Sequence, residues 1–286
     1  MAGSTSATLN DLLPTIVQEA MFVANERSIM RGLVKNYTLA PTQGKTIQVP
    51  IYPQQTAAAV TEGDEVTNTA VSTDVATFDI AQVGIRTLVT DLALNASASN
   101  VVADLGRLFG EAIARKMDTD LMAKFSDFTT NTVGSTSTTI TPALVMQAIT
   151  KLKAQGVSSD GIVCVLHPGV AYDLKAALTT TGNTAFTGGA YGAVANEAMQ
   201  MGYIGQLFGV PVYESANVPL AGSDAGDYKG GIFHRDALGL GIMRDISIET
   251  QRRASYLGTD VVASAMYGTG VVYEKYGVYA PFDSSI

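Results

Sequence analysis

Two histidines, His167 and His234, and one cysteine, Cys164, are the side chains of this sequence best suited to nucleophilic or acid–base chemistry. Cys164 and His167 lie three apart, a spacing that suggests a thiol–imidazole pair or half of a metal site. On a strand, however, side chains three apart point to opposite faces. No second Cys/His cluster completes a tetrahedral zinc site. Cys164 is therefore expected to be a small buried core residue. The sequence has no glycine-rich loop ending in Lys-Ser/Thr, no Gly-x-Gly-x-x-Gly after a strand and no Gly-x-Ser-x-Gly elbow. We expect no catalytic residue, no cofactor and no metal ligand. Glu62, Asp64 and Glu65 carry the oxygens that a hard cation prefers. Their spacing fits no defined calcium loop, so a solvated turn or intersubunit ion pairs is the expectation. Arg252 and Arg253 suit a phosphate, a subunit–subunit salt bridge or a plain exposed pair. Arg27, Arg31 and Lys35 recur at i, i+4 and i+8 on one side of a predicted helix. That stripe is either a solvated face or a surface meeting a neighbouring subunit or DNA.

Charge and composition narrow the classes. The formal net charge is −8, from 18 Lys+Arg against 26 Asp+Glu. A nucleic-acid reader normally shows a basic face, and none exists at whole-chain level. An acidic wall can still enclose DNA. Charged residues are 15% and hydrophobic ones 47%, where about 25% charged is typical. The deficit suggests a surface covered by other copies of the chain; a large Ala- and Gly-rich monomer fits the composition equally. One cysteine forms no intramolecular disulfide. No apolar run approaches the roughly 20 residues that span a bilayer, and no signal peptide is apparent. We expect a soluble protein made in a cytoplasm.

The elements follow from periodicity. Asp11 to about Val34 has a helical repeat, and Lys45 to Tyr52 alternates as a strand with Ile47, Val49 and Ile51 on one side. No Lys or Arg occurs between Lys45 and Arg86. Glu62-Gly63-Asp64-Glu65 reads as a turn, so this stretch is a two-stranded arm. Such an arm has too few apolar residues for its own core and needs something to lie on. Parity shifts between Phe78/Ile80 and Val83/Ile85, which predicts a bulge near Gln82. A long helix is predicted after Ser97–Asn100, with a stripe of Val101, Leu105, Leu108, Ala112, Met117, Leu121 and Phe125, on the order of 40 Å long. Gly106 and Gly110 leave room there for another backbone. Thr141 and Pro142 start a second helix that stops at Gly156. Ile162–Leu166 is a buried strand, and Pro168 opens a third helix. Residues 179–203 read as a long Gly/Ala-rich loop. Val210–Glu214, Gly230–His234 and Asp245–Gln251 are strands. Val261–Tyr267 and Val271–Tyr279 are predicted to pair around Gly268 and Gly270.

The order of these parts is similar to the major capsid proteins of tailed bacteriophages, the Hong Kong 97-type α+β fold. "VPIYPQQTAAAVTEGDEV" (Val49–Val66) resembles the family's extended loop, and "LGRLFGEAIARKMDTDLM" (Leu105–Met122) its spine helix. "LHPGVAYDLKAAL" (Leu166–Leu178) and "GQLFGVPVYESANVP" (Gly205–Pro219) resemble parts of its axial domain. "DISIETQRRAS" (Asp245–Ser255) resembles the late strand of its peripheral domain. The resemblance implies an N-terminal arm and helix over 1–44, an extended β-hairpin loop over 45–90, a peripheral domain with the spine helix over 91–141, an axial domain over 142–237 and peripheral strands over 238–286. It implies hexamers and pentamers of one chain forming an icosahedral virion shell around double-stranded DNA, assembled in the host bacterial cytoplasm. Scaffolding, portal and decoration proteins are possible partners, and no membrane is. The extended loop has no lysine after Lys45, so a lysine cross-link from it is not expected. Intersubunit contacts are expected from Glu62, Asp64 and Glu65 toward Arg27, Arg31, Arg252 and Arg253. An encapsulin-type nanocompartment resembles the same fold. An α/β enzyme and another virion part are the readings from other classes.

Overall fold

The computed structural model describes residues 28–40, 44–52, 70–96, 101–180, 203–222 and 224–286, and positions 55, 57, 59–63, 65 and 66 between them. The predicted first helix falls mostly outside these residues, as do Arg27, Asp64 and positions 181–202 of the predicted long loop. The described chain opens with α1 (Met30–Leu33) and β1 (Lys35–Thr38). Lys35 thus does not continue a helical stripe with Arg31, because Val34 is already extended and β1 pairs in parallel with a long late strand.

Four strands form the first sheet, in the order β1, β9 (Leu238–Arg253), β10 (Gly258–Val271), β4 (Ala81–Thr90). Across one face lies α3 (Val101–Ala123), about 35 Å long at 1.5 Å per residue. Its buried seam is Phe109, Ile113, Met117, Leu121 and Met122, continued by Phe125. Steps of four keep these on one face. The expected stripe was rotated slightly: Ala112 is exposed and Leu108 half-buried, while Phe109 and Ile113 point inward. The outer face carries the i,i+4 pairs Arg107–Glu111 and Lys116–Asp120. Gly106 lets Ile248 of β9 approach the helix, whereas among the described residues nothing lies within 4 Å of a Cβ at Gly110.

Five strands form the second sheet, in the order β11 (Gly277–Asp283), β8 (Asp227–His234), β5 (Ile162–Leu166), β7 (Val210–Glu214), β6 (Tyr203–Leu207). β5 is buried along its whole length, as an all-apolar run between α4 (Pro142–Ala154) and α5 (Pro168–Thr180) should be. Thr141 caps α4 by accepting from the Leu144 amide, and Gly156 turns left-handed just beyond its end. Cys164 lies in this strand fully buried, and burial pushes its thiol pKa up to about 12. Thiolate is the reactive form. Iodoacetamide at pH 8 should therefore leave the folded chain unmodified and label it only on denaturation. Rapid labelling of the folded chain would contradict this burial.

Two pairings differ from the sequence expectation. β3 (Asp74–Asp79) and β4 are not one bulged strand. The chain changes sheets at Ile80, because β3 pairs with β2 (Thr46–Ile51) in a separate two-stranded ribbon and β4 with β10. No turn forms at Gly268 and Gly270 either. β10 runs straight through them, and β11 crosses to pair with β8. Between β4 and α3, residues Asp91–Ala96 form the short helix α2.

The N-terminal segment is fastened to this body by carboxylates. Asp118 of α3, fully buried, accepts from the Ser28 hydroxyl (2.7 Å) and the Ile29 and Met30 amides (2.8 and 3.2 Å). Lys35 reaches Asp236 at 3.3 Å.

Candidate functional site

The arm joins the body at a small core of Ile47, Ala76 and Phe78, packed by Tyr37, Val49 and Val272 among others. Strand alternation places these residues on one face: Ile47 stands opposite Phe78, and Val49 opposite Ala76. Beneath them the first sheet carries two cross-strand glycine pairs, Gly239–Gly270 and Gly241–Gly268. A Cβ at Gly239 would come within 2.8 Å of the Phe78 ring, and one at Gly241 would strike Ile47. The glycines therefore form a side-chain-free seat into which the arm root drops. Sequence reasoning missed it, taking Gly268 and Gly270 for a turn. The repeated Gly-x-Gly on both strands was the available signal.

Beyond the root the described part of the arm is open to solvent. Tyr52, Val60, Val66, Val71 and Val75 are all exposed. Glu62 and Gly63 form a turn, with φ of +92° at Gly63 and, among the described residues, no atom within 4 Å of a Cβ there. Glu62 and Glu65 are exposed. Under the arm root runs a polar groove of about 710 Å³ between Ser72–Ala76 and Val271–Lys275, with Asp127 and Thr130. One Glu274 oxygen accepts from the hydroxyls of Thr129 and Thr130 and from the Thr130 amide. These bonds hold the Glu274 carboxyl below its usual range. Among the described residues no group of three or more His, Cys, Asp and Glu is placed to hold a metal.

The histidines serve packing. His167 stacks on Tyr228 with ring centroids 3.4 Å apart, and its Nδ1 accepts from the Gly169 amide. Burial lowers its pKa. His234 Nε2 lies 3.0 Å from the Asp160 carbonyl.

Each described arginine of the predicted contact set faces a carboxylate of its own chain. Arg31 grips Asp245 with two nitrogens (3.2 and 2.7 Å) and holds that carboxyl below its usual range. Arg252 grips Asp91 in the same way (2.6 and 2.7 Å). Arg253 meets Asp260 at 2.6 Å, and Asp260 is shared with Arg86 at 2.9 Å. Arg86 and Asp260 were not foreseen. The two lie 174 residues apart in sequence, and only the strand register brings them together.

The profile of a family described as Phage capsid protein matches residues 55–280. A search of curated proteins finds no match by sequence. Among solved structures, the chain is similar to the capsid structure of the cyanophage P-SCSP1u, with a TM-score of 0.75 at 19% identity over 97% of this chain and 95% of that one. Similarity to a Mycobacterium phage Che8 structure gives a TM-score of 0.71 at 20% identity, covering 95% and 97%. An acid-stable capsid structure of the Helicobacter pylori bacteriophage KHP30 gives 0.73 at 12% identity, covering 99% and 98%. The α+β architecture is thus the Hong Kong 97-type capsid fold.

Proposed function

The chain belongs to the phage capsid protein family, and from that premise we propose that it builds an icosahedral shell through hexamers and pentamers and encloses double-stranded DNA without reading its sequence. It is a major capsid protein, a structural component of a phage virion. The observation that carries the proposal is the arm. Its root is seated on glycines, but the part beyond exposes valines and a tyrosine that have no core of their own. A two-stranded ribbon is marginal in water, and a neighbouring subunit supplies the missing cover. The same contact repeated by rotation closes into rings.

In this reading residues 1–44 are the N-terminal arm, 45–90 the extended loop, and 91–141 with 238–286 the peripheral domain. Residues 142–237 are the axial domain, to whose sheet β11 adds the outer strand. The role is structural rather than catalytic. Assembly takes place in the host bacterial cytoplasm, with separate scaffolding, portal or decoration proteins as candidate partners. No helix among the described residues is long and apolar enough to cross a membrane.

The acidic turn at Glu62, Asp64 and Glu65 is the proposed charged contact with the neighbour. Exposed pairs contribute about 0–1 kcal/mol each, so reversing two charges weakens each contact by about tenfold. Glu62→Lys with Asp64→Lys should lower particle yield sharply in negative-stain images and leave the melting temperature of the subunit unchanged. Particles of normal yield from this double variant would count against the contact.

A further inference from the structure

We infer that the Arg86–Asp260–Arg253 cluster is the seat for the acidic turn of another copy's arm, with Glu62 and Glu65 supplying the carboxylates. This rests on the shell reading above and names the partner of the arm. The distinction lies in charge. Arg31 and Arg252 each grip one carboxylate bidentately, so each pair is neutral. Among the described residues Arg86 and Arg253 share a single carboxylate; two guanidiniums and one carboxylate leave one positive charge over. The Asp260 side chain is only 2% exposed, whereas those of Arg86 and Arg253 are 38% and 35% exposed. A buried carboxylate thus holds two guanidinium forks in place, and their remaining N–H donors stay accessible.

The sheet directs these donors away from α3. Val261, Ala263 and Ala265 of β10 lie in the core that contains the α3 residues. Strand alternation turns Asp260 to the opposite face, where register brings Arg86 of β4 and Arg253 of β9 to either side of it. On the arm, no lysine or arginine occurs between Lys45 and Arg86. Glu62 and Glu65 stand exposed at an open turn. Carboxylates and positioned guanidiniums form short, charge-assisted bonds, and the subunit supplies both halves on separate surfaces. Such a contact is heterologous and repeats head to tail around a ring.

The test uses assembled shells. Glu62→Cys combined with Arg253→Cys is treated with a short bismaleimide; Cys164 is buried and gives little background. The expected result is a ladder of covalently linked subunits, about tenfold stronger than from Glu62→Cys with Arg252→Cys. Arg86 still pairs with Asp260 in the variant, so the buried carboxylate keeps a partner. Normal shells that link no better through Arg253 than through Arg252 would overturn the inference and leave the shell reading intact. Failure of the unmodified chain to form any shell would sink both.

Discussion

Phe78→Ala is expected to stop particle formation while the body of the subunit remains folded. Phe78 is 1% exposed and is the largest member of a three-residue core. Truncating a buried phenylalanine costs about 3–5 kcal/mol, the more so where neighbours cannot collapse into the space. Here the floor is backbone, two pairs of glycines with no side chains to move inward. Tyr37 loses its ring partner, whose centroid lies 5.9 Å away. The two main cores share no buried residue with the arm root, so secondary structure and the main melting transition should persist. Electron microscopy of the variant should show subunits without shells. Gly270→Val should do the same from the other side, since its side chain occupies the position of the Phe78 ring. Shells of normal yield from Phe78→Ala would show that the seated root is dispensable.

Asp118→Ala should release the N-terminal segment. The wild-type carboxylate is fully buried and accepts from three donors in residues 28–30. Alanine leaves these donors without their acceptor, at a cost of about 3 kcal/mol. That corresponds to roughly hundredfold faster amide exchange in β1. The β5 amides, in the second core, should stay protected. Asp118→Asn keeps an acceptor oxygen and should give an intermediate rate. Unchanged β1 protection in the alanine variant would contradict the latch.

Local structure was legible in the sequence wherever one residue's neighbours decide its environment. The all-apolar run Ile162–Leu166, the capped helix from Pro142 and the long helix over 101–123 needed only periodicity and end signals. Partner choice was not legible. Alternation predicts a strand over 271–279, but not that the chain breaks at Glu274–Tyr276 or that 277–283 crosses to β8 instead of folding back on β10. The parity change read near Gln82 marked a discontinuity, which falls at Ile80; a bulge and a change of sheet have the same sequence pattern. Gly268 and Gly270 looked like a turn because glycine permits one; their extended pairing with Gly241 and Gly239 follows from what lies on top of them. The acidic turn and the arginines were visible as residue types. Their charge balance was not, because Asp91, Asp245 and Asp260 reach Arg252, Arg31 and Arg253 only through the folded sheet and helices.

The central claim is that this chain assembles with copies of itself, and electron microscopy of the purified protein tests it most directly. Closed particles, or rings of five and six subunits, are the predicted result. A monodisperse species of one or a few chains, at every salt and protein concentration tried, would contradict it.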